Sequence, residues 1–402
     1  MTRRDGIVAA LSAVVTGLVL LLVGTLQSSN EDQTGTVEPT GFATDAGQPR
    51  TPTPTQQKDQ GGSTEPGDDP VDMSSDTPEP DADGEPEDAP VLDDAPPAGE
   101  GPVPSGKAVQ CPAATVEVTS GEDLADALES ARPGDVIDLA DGTYEGEFVA
   151  SSAGTEEDPI FLCGSRDAVL DGGDVEGGYV LHLDGASHWR LVGFSVRNGQ
   201  KGVMADAVTG VVVQDLSVND IGDEAIHLRD GSTRNAVQGN EIGRTGLRRD
   251  KFGEGVYIGT AVSNWCSYTD CRADRSDYNL VKDNTFRATS SEAIDVKEGT
   301  TGGVITGNTF NGSSITGADS WVDVKGNNYL VADNVGSNAP EDGFQTHQIL
   351  PRWGDKNVFS GNRATVNGPG NGISSWPPQS NVVTCSNTAT AAGEGLSNID
   401  CS

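Results

Sequence analysis

Five short phrases in this chain gather residue types able to do acid–base and metal chemistry: EAIHLR, EGVYIG, EAIDVK, SWVDVK and DGFQTH, beginning at 224, 254, 292, 320 and 342. Each reads as a β-strand, in which alternate side chains face opposite ways. Ile226 and Leu228, Val256 and Ile258, Ile294 and Val296, Val322 and Val324, and Phe344 and Thr346 then point inward. The outward residues fall into columns: His227, Tyr257, Asp295, Asp323 and Gln345 in one, and Arg229, Gly259, Lys297, Lys325 and His347 in the next. A third column, just before the strands, holds Glu224, Glu254, Glu292, Ser320 and Asp342.

Strands of one sheet lie about 4.8 Å apart. Glu254, Glu292, Asp295 and Asp323 are therefore expected to converge as metal ligands for Ca²⁺, a hard cation that takes about six to eight oxygens. Lys297 and Lys325 stand beside them as candidate catalytic bases. Two stacked lysines, or a lysine near a metal, are expected to have lowered proton affinity. Tyr257, Trp321, His347 and Arg229 are expected to contact substrate, the aromatic rings suiting the apolar faces of sugars. Segments 259–279 and 345–355, with Trp265 and Trp353, are long enough to wall a groove. A purely structural Asp–Lys ladder that neutralises and solubilises the face is the alternative.

The elements that must position these residues follow from repetition. The phrases are separated by 22 to 38 residues, and between them recur GFSVRN, DLSVND, GNEIGR, DNTFRA, GNTFNG, DNVGSN and GNRATV. Strand-only phrases at this period mark an all-β solenoid, a right-handed parallel β-helix, rather than a helical array. Asn240, Asn284, Asn308, Asn334 and Asn362 recur at one turn position and are expected to form a structural hydrogen-bonded ladder. At the front, Ser120 and Asp123 precede Leu124, Ala125, Leu128 and Ala131, and Pro133-Gly134 follows. This pattern predicts a short capping helix that plugs the open end of the solenoid.

Composition sets the context. The net charge is −37 over 402 residues, with much of the deficit before position 107, which argues against nucleic acid as a partner. Residues 1–5 read as a cytoplasmic N-terminus, and 6–26 as a transmembrane signal anchor or a signal peptide. Residues 27–106 read as a disordered acidic linker, and 107–402 as the β-helix domain. The domain is thus expected outside the cytoplasm, secreted or held at the cell surface, touching membrane only through the N-terminal segment, and monomeric. Six cysteines allow fifteen pairings; sequence order favours Cys111–Cys163, Cys266–Cys271 and Cys385–Cys401.

The opening PGDVIDLADGTYEGEFV and the later EAIDVK and GNTF resemble the pectin-lyase-like β-helix proteins, especially the family of chondroitinase B and alginate lyases. In that family a phrase E-x-x-x-x-K, followed by G-N-T-[FY], carries a calcium-binding glutamate and the catalytic lysine. The resemblance implies that Glu292 binds calcium and that Lys297 takes the proton beside the sugar carboxylate, with Lys325 nearest the family's assisting arginine. Ser290 stands where the family has a second calcium-binding glutamate. A similarity to the calcium-dependent pectate lyases implies instead Glu254, Glu292 and Asp295 as ligands and Lys325 as base. The expected function is a calcium-assisted polysaccharide lyase acting on a uronic-acid polymer by β-elimination. A glycoside hydrolase on the same fold and a non-catalytic glycan-binding or adhesive module are the alternatives.

Overall fold

The computed structural model describes residues 95–376, 378 and 380–402. The segments read as cytoplasmic, transmembrane and, for the most part, linker lie outside the described residues. No helix among the described residues is long and apolar enough to cross a membrane.

Three parallel sheets run the length of the domain, one of 11 strands and two of 10, and consecutive strands pass from sheet to sheet. Each strand pairs in parallel with its counterparts one coil before and after, so the chain winds as a β-solenoid. The inward residues read from the sequence are buried: Ile226, Leu228, Val256, Ile258, Ile294, Val296, Val322, Val324 and Phe344 belong to one continuous apolar core. Aromatic residues stack within it, Phe286 on Phe310 with centroids 5.4 Å apart.

The asparagine ladder forms as expected. Asn240 donates from Nδ2 to Asn284 Oδ1 at 2.9 Å, and the pattern repeats through Asn308, Asn334 and Asn362 to Asn387. The backbone amide of each member, from Asn240 to Asn362, also donates to the next side chain. Both needs of a buried turn are thereby met within the stack. Asn235 on Asn279 forms a second, shorter stack that the repeat phrases did not single out.

The capping helix spans Gly121–Ser130. The Ser120 hydroxyl accepts from the Asp123 amide, and Leu124, Ala127 and Leu128 are buried against the first coil. The three disulfides pair as sequence order favoured: Cys111–Cys163, Cys266–Cys271 and Cys385–Cys401.

The linker-to-domain boundary read at Lys107 falls inside an ordered strap. Val103 packs against Ala236, Leu280 and Val304, an outward apolar column of the 11-stranded sheet. Lys282 donates to the Gly106 carbonyl, Gln238 to that of Lys107, and Gln214 to that of Val109. The strap thus crosses successive strands along one face, and Cys111–Cys163 ties its end.

Candidate active site

The five phrases form the strands Ile226–Arg229, Val256–Ile258, Ile294–Val296, Val322–Val324 and Phe344–Thr346, adjacent in one 10-stranded sheet. Their register is the one alternation required: His227 opposite Tyr257, then Asp295, Asp323 and Gln345. The outward columns therefore exist as read.

Asp295 is the centre. Its Oδ2 lies 2.7 Å from Lys297 Nζ, and its Oδ1 lies 2.7 Å from Lys325 Nζ. Lys325 also reaches Asp323 Oδ2 at 2.7 Å, and the same oxygen meets His347 Nδ1 at 2.9 Å. Lys297 sits 5.0 Å from the centroid of the Tyr257 ring, a cation–π contact. The expectation of lysines with lowered proton affinity is overturned. Burial alone would lower them, but Asp295 with Glu298 for Lys297, and Asp295 with Asp323 for Lys325, hold both ammonium groups well above the ordinary lysine range. Asp323 is held below the usual carboxylate range: burial opposes this, but Lys325 and His347 prevail. Asp323 in turn raises His347.

Three of the four expected metal ligands come together. Glu254, Glu292 and Asp295 each offer a carboxylate oxygen within 4.8 Å of the others. Asp323 is not in that group; it serves Lys325 and His347. Burial and then the neighbouring charges of Glu224 and Glu292 raise Glu254, while burial and Asp295 push Glu292 up to about 7. Glu254 Oε2 is buried without a hydrogen-bond partner. Apart from Asp323, which pairs with Lys325 and His347, the three carboxylates of the cluster outnumber the lysines beside them, and an orphaned carboxylate oxygen among hard oxygen donors fits Ca²⁺. The cluster supplies only part of a Ca²⁺ shell, so the remaining positions would fall to water or substrate.

Two of the expected substrate contacts are misplaced. Trp321 is fully buried, at 0% exposure, stacked against Phe310 and edge-on to Phe344. Its register column reads Ala225, Gly255, Ala293, Trp321, Gly343, the small interior positions of a corner. Gly336 makes the room: a Cβ there would meet the indole at 2.1 Å. That glycine stands one coil after Phe310, where the aromatic stack would otherwise continue. Arg229 is also buried. It grips Asp206 through Nε at 2.8 Å and Nη2 at 3.0 Å, and the Tyr268 ring covers it at 3.8 Å. The segment that should have opened a groove there closes over it instead. Trp265 and Trp353 likewise line no groove; both are buried in one small cluster of their own.

Tyr257 and His347 remain half-buried on the site face. A cleft of about 460 Å³ is lined by Glu292, Asp323, Lys325 and His347 and walled by the segment from Thr316 to Asp319; Tyr257 does not line it. That wall was missed by sequence reasoning. Its signal is the stretch of chain between GNTFNG and SWVDVK that no strand phrase uses. Ser290 donates to the Asp250 carbonyl.

No protein-family model matches the chain, and no curated protein matches it. Solved structures do. An alginate lyase from Paenibacillus sp. str. FPU-7 shares 32% identity with a TM-score of 0.66, the match covering 71% of this chain and 99% of that one. The pectate lyase Pel9A shares 16% identity with a TM-score of 0.48, over 69% of this chain and 72% of that one. With 32% identity over a match that takes in 99% of the Paenibacillus enzyme, the chain belongs to that alginate lyase's family, within the pectin-lyase-like parallel β-helix superfamily.

Proposed function

We propose that this protein is a polysaccharide lyase that cleaves a uronic-acid polymer by β-elimination on the face bearing Glu254, Glu292, Asp295, Lys297, Asp323 and Lys325. The observation that carries the reading is the pair of lysines gripping one buried aspartate beside an acidic cluster and an open cleft. Kinship with an alginate lyase supports alginate as the first substrate to test.

Elimination needs a base for the proton on the carbon next to the carboxylate, charge stabilisation for the enolate that forms, and a proton for the departing oxygen. Lys297 is assigned the base. Its own proton passes to water when Asp295 is drawn away from it, and the neutral amine then takes the sugar proton; the C–H electron pair becomes the ring double bond and expels the glycosidic oxygen, which takes a proton from water in the cleft or back from the Lys297 ammonium. Lys325, held charged between Asp295 and Asp323, faces the cleft and receives the uronate carboxylate. Glu254, Glu292 and Asp295 would hold Ca²⁺. When bound, the ion would neutralise the uronate carboxylate and stabilise the enolate. Three disulfides support a place outside the cytoplasm, and the apolar 6–26 segment supports an anchor or export signal there.

The test is the ultraviolet absorbance of unsaturated uronate released from alginate and related polymers. A rise that chelator and Lys297→Ala abolish is the expected result. New reducing ends without unsaturation would mean hydrolysis, and wild-type turnover in both Lys297→Ala and Lys325→Ala would overturn the mechanism.

A further inference from the structure

The chain has five tryptophans, and four of them, Trp189, Trp265, Trp321 and Trp353, are at most 1% exposed. Trp376 is 63% exposed. A large aromatic ring held in water needs a reason, and its position supplies one. Ser375 pairs with Thr346 on the preceding strand of the site sheet, which sets Trp376 opposite His347. Ile373 and Ser375 are buried, so alternation turns Trp376 outward. It therefore extends the column of Lys297, Lys325 and His347 by one more strand. The backbone there is anchored: the Trp376 amide donates to the Thr346 carbonyl at 3.1 Å.

We propose that Trp376 is the stacking platform of a sugar subsite on the site face beyond the cleft, one coil past His347, an inference that rests on the lyase reading. Two strand spacings separate it from Lys325, roughly 10 Å. A polymer laid along the column with one unit at the lysines would bring another over the indole. Uronate rings present C–H faces that pack on an indole, while their carboxylates point aside, toward His347 and Lys325. The occupant is thus the distal part of the same polyuronate chain. Short substrates would bypass the platform, and long ones would gain affinity from it.

The experiment uses Lys297→Ala as a non-cleaving background, with oligomannuronate, oligoguluronate and oligogalacturonate of graded length as probes. Tryptophan emission should change saturably on binding, and Trp376→Ala should abolish the change, because the other four rings are buried. Calorimetry should show affinity for the longer oligomers falling about three- to tenfold in Trp376→Ala, with Trp376→Tyr restoring most of it and the shortest oligomers unaffected. In the otherwise wild-type protein, Trp376→Ala should raise KM for polymer and leave kcat nearly unchanged. Binding with unmoved emission, or equal affinity in Trp376→Ala, would overturn the subsite while leaving any elimination activity standing. Trp376-dependent binding without unsaturated product would sink the lyase reading alone. If no oligomer binds, both fall.

Discussion

Lys297 stands two residues after Asp295, just past the end of the Ile294–Val296 strand, their side chains joined at 2.7 Å, so the lysine's proton is governed by how strongly that aspartate is engaged elsewhere. Lys325, just past the end of the next strand, already holds the other oxygen. The same aspartate offers a ligand atom to the acidic cluster. Asp295 is thus shared among two ammonium groups and the place where a cation fits, and anything that engages it more tightly loosens its hold on Lys297.

Removing either lysine should therefore have different consequences. Lys297→Ala removes the proton acceptor and should lower kcat by about 10²–10⁴-fold, with the fold kept. Lys325→Ala strands two buried carboxylates and should also destabilise the domain by about 3–5 kcal/mol. Steady-state kinetics beside thermal melts separates the two. Equal melting temperatures for both variants would contradict the central place given to Lys325.

The Glu292 carboxyl, pushed up to about 7 by burial and Asp295, links pH to both stability and calcium. Between its ordinary value and about 7 the metal-free folded protein binds more protons than the unfolded chain. Stability contributed by this group is then present at low pH and lost as pH rises through that window. Calcium would replace the proton, so its affinity should weaken as pH falls below about 7, by up to about tenfold per pH unit for one competing proton. Melts with chelator and with calcium across this range should diverge most at the alkaline end. A calcium shift that is the same at all pH values would remove Glu292 from the ligand set.

The architecture was legible because its signals are local and periodic. The asparagines recur at one turn, and alternation fixed the register that brings Asp295 opposite Asp323. What was not legible is what depends on three-dimensional neighbours. Asp295 lies close enough to both lysines to reverse the expected direction of their proton affinity. Trp321 was read as a groove residue because aromatics suit sugars, yet its column of alanines and glycines already placed it inside. Tyr268 covering Arg229 depends on the path of an excursion between coils that carries the short Trp265–Tyr268 helix, which no repeat predicts. Trp376 follows the strand Asn371–Ser375, one coil beyond the last of the five phrases, and lies outside every phrase used to find the site.

Trp321 gives a direct check on core against groove. Trp321→Ala should cost about 3–5 kcal/mol of stability, because Phe310, Phe344 and the glycines around the indole cannot close the hole. Folded Trp321→Ala at low temperature should retain a KM near that of the wild type. A raised KM with unchanged melting temperature would return this residue to the substrate groove.

Finally, the strap tests whether the two faces of the solenoid act separately. Cys111–Cys163 closes a loop with a sequence separation of 52 and fixes the strap against the 11-stranded sheet, whereas the candidate site lies on a 10-stranded one. Replacing both cysteines by serine should lower stability by about 2–4 kcal/mol. It should also expose the apolar column of Ala236, Leu280 and Val304 as the strap lifts. Turnover per folded molecule should not change, since no residue of the strap reaches the cleft. Hydrogen exchange should show faster opening on the 11-stranded sheet and unchanged protection at Asp295 and Asp323. Faster exchange on the site sheet would mean instead that the core transmits strain from one face to the other, which close packing of Val281, Ile294 and Ile305 in one continuous core makes possible only if all the coils loosen together.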